Sequence, residues 1–442
     1  MGTNTSKIKP PASAKHPAPV DHPVHVEYLT HVNLSTHVDR PAPVETKAVV
    51  LPRLPQEIID EILDRLAANQ DPRSLQSCAL VSKSWSPSCR RLLFHTIIFI
   101  TLSMERWLER FPVPEDSPAH LVKNLYVWIG ASQCVPDRFF EYTPWFTNAE
   151  RLSLMGYPGI PLLRRPSLWR SPQSVTSLTV KTGSVTLVEI RDIMAQLPNL
   201  DSLWLSGDFV GVDRRAPQGI GTILKGRFGG KLRLSDRYAG GSVTNMLLEV
   251  PTGIHFTECQ IECPRELLLS NVQLLKACGS TLVRLSYKVN FERKSYCSPW
   301  LALVMHKTLT LISPPHIDGG EFGRSLDFSK LPNLRVVILK LSWTCGGLQW
   351  IPMALSTIKP ATSPRLSTIR VDLIRSYSTI RSVECLVEET CDDLRWVANE
   401  ALRIEREFDG AVNLTISRDQ AFKVALDVLD VRVRFRGVDD TL

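Results

Sequence analysis

The stretch Leu51–Ile100, LPRLPQEIIDEILDRLAANQDPRSLQSCALVSKSWSPSCRRLLFHTIIFI, reads as three short helices and a strand. Leu54-Pro55 opens the first helix, with Pro55 at the first helical position, where the missing N–H has no intrahelical acceptor. Glu57, Asp60 and Glu61 follow in the first two turns, where negative charge suits the helix dipole. Ile58, Ile59, Ile62, Leu63 and Leu66 then form one apolar face at the helical period. Asp71-Pro72 reads as an N-cap followed by a first-turn proline and starts a second helix, which carries Leu75, Cys78, Ala79, Leu80 and Val81. Ser86-Pro87 repeats the signal and starts a third, with Cys89, Leu92 and Leu93. Trp85 marks the junction. Helices this short need tertiary packing to form. Three of them share a core of about ten apolar side chains, which is marginal for roughly 45 residues. The first helix is apolar over nearly half its circumference, more than two short neighbours cover. The module is therefore expected to hide apolar surface against something else: the rest of the chain or a partner.

These residues resemble the F-box family. Leu54, Pro55, Glu57, Ile58, Ile62, Leu63, Leu66, Leu75, Leu80, Val81 and Trp85 meet its pattern in order and at its spacing, and the run after Trp85 resembles the fungal branch. The spacer Ala67-Ala68-Asn69-Gln70 is slightly longer than in compact members. The resemblance implies that this set of residues docks on a Skp-type adaptor, which joins the chain to a cullin and a RING subunit in a ubiquitin ligase.

Around this stretch, the 442-residue chain has room for two or three domains. Its 43% hydrophobic and 22% charged residues are ordinary for a globular protein. The net charge of +7 comes from 52 basic against 45 acidic residues, diffusely placed, with no basic block interleaved with aromatics. Nucleic-acid binding is disfavoured on that ground. Ten cysteines without a CxxC pair point to free thiols in a reducing compartment, cytoplasmic, nuclear or both. No apolar run reads as a secretory signal or a membrane span.

Residues 1–50 are rich in Pro, His, Val, Ser and Thr without helical period, and are expected to form a disordered tail. Its five histidines, His16, His22, His25, His31 and His37, are irregularly spaced and lack Cys or acidic company, so no metal site is assigned. Met1-Gly2-Thr3-Asn4-Thr5-Ser6 fits the short N-myristoylation pattern, with Gly2 as acceptor. One acyl chain binds a membrane only marginally.

Beyond residue 100, segments of the form L-x-x-L-x-L recur: Val122–Val127, Ala149–Leu154, Val175–Val180, Leu200–Leu205, Leu282–Tyr287, Leu334–Leu339 and Leu366–Val371. Weaker copies sit at Leu232-Leu234, His255-Phe256 and Leu309-Leu311. Leu-Pro-Asn-Leu precedes two of the strands, at Leu197–Leu200 and Leu331–Leu334. Centres roughly 22 to 32 residues apart fall in or near the leucine-rich-repeat range. Stacked strand-and-return units would share one core, with apolar positions inward and the residues between them on an open concave face. The repeats are irregular and mostly lack the Asn of regular leucine-rich repeats, and they resemble those of fungal F-box proteins. The expected fold is α/β: residues 1–50 a tail, 51–100 a three-helix F-box module, 101–442 a leucine-rich-repeat-like solenoid.

Alternation names the exposed ladder. One row is Tyr126, Ser153, Thr179, Trp204, Ser286, Ile338 and Arg370; the next is Trp128, Met155, Lys181, Ser206, Lys288, Lys340 and Asp372, with Arg151 and Arg284 to the other side. Basic residues outnumber the single acid, and exposed aromatics and arginines are common binding hot spots. Tyr126, Trp128, Arg151, Lys181, Trp204, Arg284, Lys288, Lys340 and Arg370 are thus candidate contacts for a protein segment that is acidic or phosphorylated. Gly207–Gly241 and Ser313–Gly323 read as surface insertions; the first lacks the Gly-Lys-Ser/Thr ending of a phosphate loop. Val383–Phe408 has helical character, and Val424–Phe435 alternates like a closing strand.

Neither HExxH nor GxSxG occurs, and no cysteine sits in a recognisable Cys-His-Asn signature, so no catalytic residue, metal or cofactor is assigned. The resemblance implies a non-catalytic adaptor: the helical module binds the Skp-type adaptor and the solenoid presents a protein substrate for ubiquitination. The alternatives are an F-box scaffold without ubiquitin transfer, membrane-tethered if Gly2 is acylated, and a small-molecule sensor.

Overall fold

The structure, a computed structural model, describes residues 54–69, 71–129, 142–156, 172–209, 226–236, 242–264, 268–290, 325–343, 349–375 and 383–418. Gly2, the five tail histidines, the weak copy at Leu309-Leu311, the Ser313–Gly323 insertion and the Val424–Phe435 strand lie outside them.

Three helices come first: α1 (Gln56–Ala68), α2 (Pro72–Val81) and α3 (Ser86–Phe94). Asp71 caps α2 as expected, its carboxylate accepting from the Ser74 N–H at 3.1 Å, with Pro72 opening the first turn. Two caps differ. Pro55 is the N-cap of α1 rather than its first residue; its φ of −52° and ψ of 143° are extended, and its carbonyl accepts from Ile58 and Ile59. Ser86 and Pro87 are already inside α3, and Trp85 holds the cap position without a side-chain bond.

The chain then enters one sheet. Among the described residues eleven parallel strands stand side by side in chain order: β1 (Thr96–Ile100), β2 (Asn124–Ile129), β3 (Arg151–Gly156), β4 (Ser177–Val185), β5 (Ser202–Phe209), β6 (Lys231–Asp236), β7 (Glu258–Pro264), β8 (Arg284–Asn290), β9 (Val336–Trp343), β10 (Thr368–Arg375) and β11 (Asn413–Arg418). β1, grouped with the helices on sequence, is the first strand of the sheet and pairs along its length with β2. Parallel neighbours need a return path between them. Here it includes α4 (Thr101–Arg110), α5 (Leu187–Ala195), α6 (Ser242–Leu248), α7 (Leu268–Ala277), α8 (Trp350–Ser356) and α9 (Val383–Glu407), besides short 3-10 turns. The helix over Val383–Phe408 thus forms.

All seven strong L-x-x-L-x-L segments became strands, each starting two residues later than the segment. The leading residue of each, Val122, Ala149, Val175, Leu200, Leu282, Leu334 and Leu366, is buried in the entry turn. Phe256 is the same plug for β7, so the weak copy at His255-Phe256 marks the entry to a strand and not the strand itself. The Gly207–Gly241 insertion is also smaller than expected, because β5 runs into it and β6 lies inside it. Gly230 needs its missing side chain: a Cβ there would collide with the carboxylate of Asp201 and the hydroxyl of Ser202. Asp201 uses that room to accept from the Gly229 N–H at 3.0 Å.

Inward positions of every strand join one continuous core with the return helices. A polar rung accompanies it. Asn148, Asn199 and Asn333, each three residues before its strand, donate from Nδ2 to a carbonyl of an earlier return segment: His120 at 2.6 Å, Gln173 at 2.8 Å and Ser280 at 2.6 Å. Ser174 and Thr281 do the same with hydroxyls at the equivalent position. Asparagine is therefore present in three entry turns, two of them in the Leu-Pro-Asn-Leu segments. Arg403 of α9 locks the far end, donating to the Leu355 and Ile358 carbonyls that end α8 while paired with Glu400 at 2.7 Å and Glu407 at 2.6 Å.

Candidate functional site

Two surfaces carry the candidate residues. On the helical module the five apolar residues of α1 do not share one fate. Ile59 and Leu63 are buried with Leu75 and Cys89, and Leu66, Trp85, Leu92 and Leu93 pack around them. Ile58 and Ile62 point away, 46% and 39% exposed, in line with Leu54 at 52%. Leu80 and Val81, at the end of α2, are more exposed still, at 73% and 70%. The predicted single face is thus two stripes about 100° apart, one inward and one outward. Leu63 and Leu75 form core, Leu66 and Trp85 flank it, and Leu54, Ile58, Ile62, Leu80 and Val81 are presented, with Pro55 and Glu57 also at the surface. Asp60, read from the sequence only as a charge suited to the helix dipole, also accepts from Ser88 of α3 at 3.1 Å and from Gln56 at 3.0 Å, tying the third helix to the first.

This module is bound closely to the sheet. One residue, His95, separates α3 from β1, and its carbonyl accepts from the N–H groups of both Lys123 and Asn124 at 2.9 Å. Phe94 at the end of α3 meets the Trp107 ring edge-on at 6.3 Å.

Residues 51–96 match the F-box domain family. The chain carries an F-box domain. No curated protein matches the chain. An F-box domain implies a role in protein interaction, typically as the substrate-recognising part of a ubiquitin ligase, and F-box proteins are usually adaptors without catalytic activity of their own.

The second surface is the ladder. The register aligns Tyr126, Ser153, Thr179, Trp204, Arg233, Gln260, Ser286, Ile338 and Arg370 in one row, and Trp128, Met155, Lys181, Ser206, Ser235, Glu262, Lys288, Lys340 and Asp372 in the next. Arg151 and Arg284 share a third row with Lys231 and Glu258. The rows are as expected, but their charge is not. Asp372 is not the single acid: β7 adds Glu258 and Glu262. Lys288 pairs with Glu262 at 2.6 Å, Arg370 with Asp372 at 2.6 Å, Lys340 with Asp372 at 3.9 Å and Lys231 with Glu258 at 3.1 Å. The β7–β10 part of the ladder is therefore largely neutralised.

The β4–β6 part is not. Lys181 Nζ lies 3.7 Å and the Arg233 guanidinium 4.0 Å from the centre of the Trp204 ring. The two cations come from β4 and β6, the strands on opposite sides of β5. Neither has a carboxylate partner among the described residues. Burial pushes the Lys181 ammonium below the usual lysine range, and the charge of Arg233 adds to the shift. Both lying so near one ring, the two cations are no more than about 8 Å apart and repel by at least roughly 2 kcal/mol at an effective dielectric near 20. Two cation–π contacts return about 0.5–1 kcal/mol each. The cluster roughly breaks even, without an anion to neutralise it. Arg233 was missed as a contact because KLRLSD was read as a weak copy inside a loop; its L-R-L alternation was the available signal.

Among the described residues no group of three or more His, Cys, Asp or Glu is placed to hold a metal ion, and no helix is long and apolar enough to cross a membrane. Cys78, Cys89, Cys259 and Cys278 carry free thiols.

Proposed function

We propose that the chain is the substrate-recognition subunit of a Skp–cullin–F-box ubiquitin ligase, acting in the cytoplasm or nucleus. In this reading Leu54, Ile58, Ile62, Leu80 and Val81 of the F-box dock on the Skp-type adaptor. Leu63 and Leu75 hold the two presenting helices together, and the sheet binds a protein substrate through its ladder. The observation that carries the reading is the apolar stripe of α1, left open although only four of the described residues make up the buried core of the three helices. Natural surfaces expose large apolar residues in line mainly where something covers them.

We further read the sheet as a leucine-rich-repeat-like solenoid. Chain-order parallel strands, register partners 24 to 29 residues apart from β1 to β8, and the entry-turn asparagines support that reading. The test is affinity capture of the full chain and of an Ile58→Asp/Ile62→Asp variant from the same cells. The wild type should bring down the adaptor and a cullin. The variant should lose both and keep its substrates. A variant that retains the adaptor would overturn the docking assignment, and a wild type that captures adaptor without cullin would remove ubiquitin transfer.

A further inference from the structure

We propose that Cys259 and Cys278 form a reversible oxidation site, at which hydrogen peroxide converts two thiols of the core into a disulfide that staples β7 to the end of α7. The inference is independent of what the ladder binds.

Cys259 lies near the start of β7, in register between Leu232 of β6 and Leu285 of β8. Cys278 follows α7 directly, and its carbonyl accepts from the Leu282 N–H at 2.9 Å in the turn that leads to β8. One hydroxyl shows how closely the two segments lie. Thr281 Oγ1 is 3.1 Å from the Cys278 carbonyl and 3.2 Å from the carbonyl of Phe256, three residues before Cys259. The thiols themselves meet: Cys259 donates to the Cys278 sulfur, which also accepts from the Phe256 N–H. Both residues are buried in the shared core, and both thiols are free.

The order of reaction follows from that bond. It draws the Cys278 thiol below the ordinary range against the cost of burial, and the Phe256 N–H adds to the effect. The same bond, with burial, pushes Cys259 well above that range. Cys278 is therefore the nucleophile and Cys259 the resolving thiol. The Cys278 sulfur attacks the O–O bond of the peroxide; that bond breaks, one oxygen leaves as water, and the other stays on sulfur as a sulfenic acid. The Cys259 sulfur then forms the S–S bond and displaces the hydroxyl, which leaves with the Cys259 proton as a second water. Two electrons pass from the two thiols to one peroxide, and exchange with an excess of small thiol returns both to the reduced form.

The consequence falls on the ladder. β7 carries Glu258 and Glu262, the acids paired with Lys231 and Lys288. Peroxide reaches the buried thiols only when this part of the core opens locally. The bridge closes a loop of about 20 residues, which lowers the population of the open chain by about a hundredfold. Oxidation thus closes the opening through which it occurred and fixes those carboxylates in place.

The test treats the purified full chain with hydrogen peroxide at neutral pH, alkylates the remaining thiols and maps the unreduced peptides by mass spectrometry. Amide exchange is followed on the same samples. A bridge between Cys259 and Cys278 should form in the native chain and be reversed by dithiothreitol, and exchange across β7 and α7 should slow by at least about tenfold. Cys259→Ala should leave a sulfenic acid on Cys278, trapped by a dimedone reagent, whereas Cys278→Ala should leave Cys259 a thiol. Cys263→Ala, which removes the other thiol of β7, should keep the bridge. Both thiols still free after treatment, a bridge that forms only in urea, a bridge through Cys263 instead, or a bridge between Cys259 and Cys278 that leaves exchange unchanged would each overturn the proposal. All four outcomes are read on the wild type, so they stand even where a core variant fails to fold.

Discussion

Truncating the outward stripe should separate docking from folding. The triple substitution Ile58→Ala/Ile62→Ala/Leu80→Ala removes side chains that are 46%, 39% and 73% exposed in the free chain. Together they leave about one and a half full side chains open. Burying a Leu or Ile side chain completely is worth roughly 1.5–3 kcal/mol. Covering that exposed fraction on binding should therefore contribute about 3–4 kcal/mol, of which alanine retains a small part. The expected loss is about 3 kcal/mol, roughly a hundredfold in Kd for the Skp-type adaptor. Folding should respond far less, because the inward stripe is untouched and alanine is the better helix former on α1 and α2. Leu63→Ala is the contrast: Leu63 is fully buried, and a Leu→Ala change in such a site costs about 2–5 kcal/mol of stability. It should weaken adaptor binding only by unfolding the module. Calorimetric titration with purified adaptor, paired with a circular-dichroism melt, reads both quantities. A triple variant that binds within threefold of wild type, or one that loses its helical signal along with binding, would refute the two-stripe assignment.

Other substitutions test the fold around these faces. Asn199→Ala should lower stability by about 1 kcal/mol in urea titration, since it removes the bond that ties the entry to β5 to the Gln173 carbonyl ahead of β4. Arg403→Met should cost about 1.5–3 kcal/mol, read as faster amide exchange over α8 and α9, because it frees two carbonyls and leaves Glu400 and Glu407 without their partner. At Asp71 the hydrogen bonds from Ser74 hold the carboxyl below the usual aspartate range. The folded form therefore prefers the ionised group, and its contribution is complete above the ordinary aspartate pKa and lost as pH falls through the lowered value. Asp71→Ala should fray α2 at neutral pH, and Asp71→Asn should keep the cap while flattening this part of the acid unfolding profile of the helices.

What the sequence made legible follows from which constraint each residue answers to. Strong strands were visible because three apolar positions at fixed offsets must all reach one core; Leu200, Leu203 and Leu205 leave little choice. β11, with Leu414 and Ile416 as its only large apolar residues, gave too little pattern to stand out. β6 was obscured by the glycines before it, of which Gly229 and Gly230 serve the close approach to Asp201. On the F-box the residue types were legible but their division was not: Ile58 and Ile59 are adjacent and chemically identical, and only the positions of α2 and α3 decide which is covered. The ladder rows followed from strand alternation, a local rule. Their charge pairing did not, because Lys288 meets Glu262 across 26 residues and only the register of β7 against β8 brings them together.

The same register logic bears on why the two faces belong to one chain. A substrate held on the ladder is useful to a ligase only if its distance from the docked adaptor is constrained, since effective concentration falls steeply as the connection lengthens and loosens. A flexible linker would have been simple to place after α3, at the end of a small helical module. Instead the module passes through His95 directly into the first strand, whose carbonyl-to-amide bonds to Lys123 and Asn124 begin the ladder of the whole sheet. Phe94, the last residue of α3, is packed on the sheet's own core through Trp107. A module meant only to tether would have no need of either contact. The absence of slack between Phe94 and Thr96 is what a device for setting distance requires, and it makes the orientation of Ile58 relative to Trp204 a property of the fold.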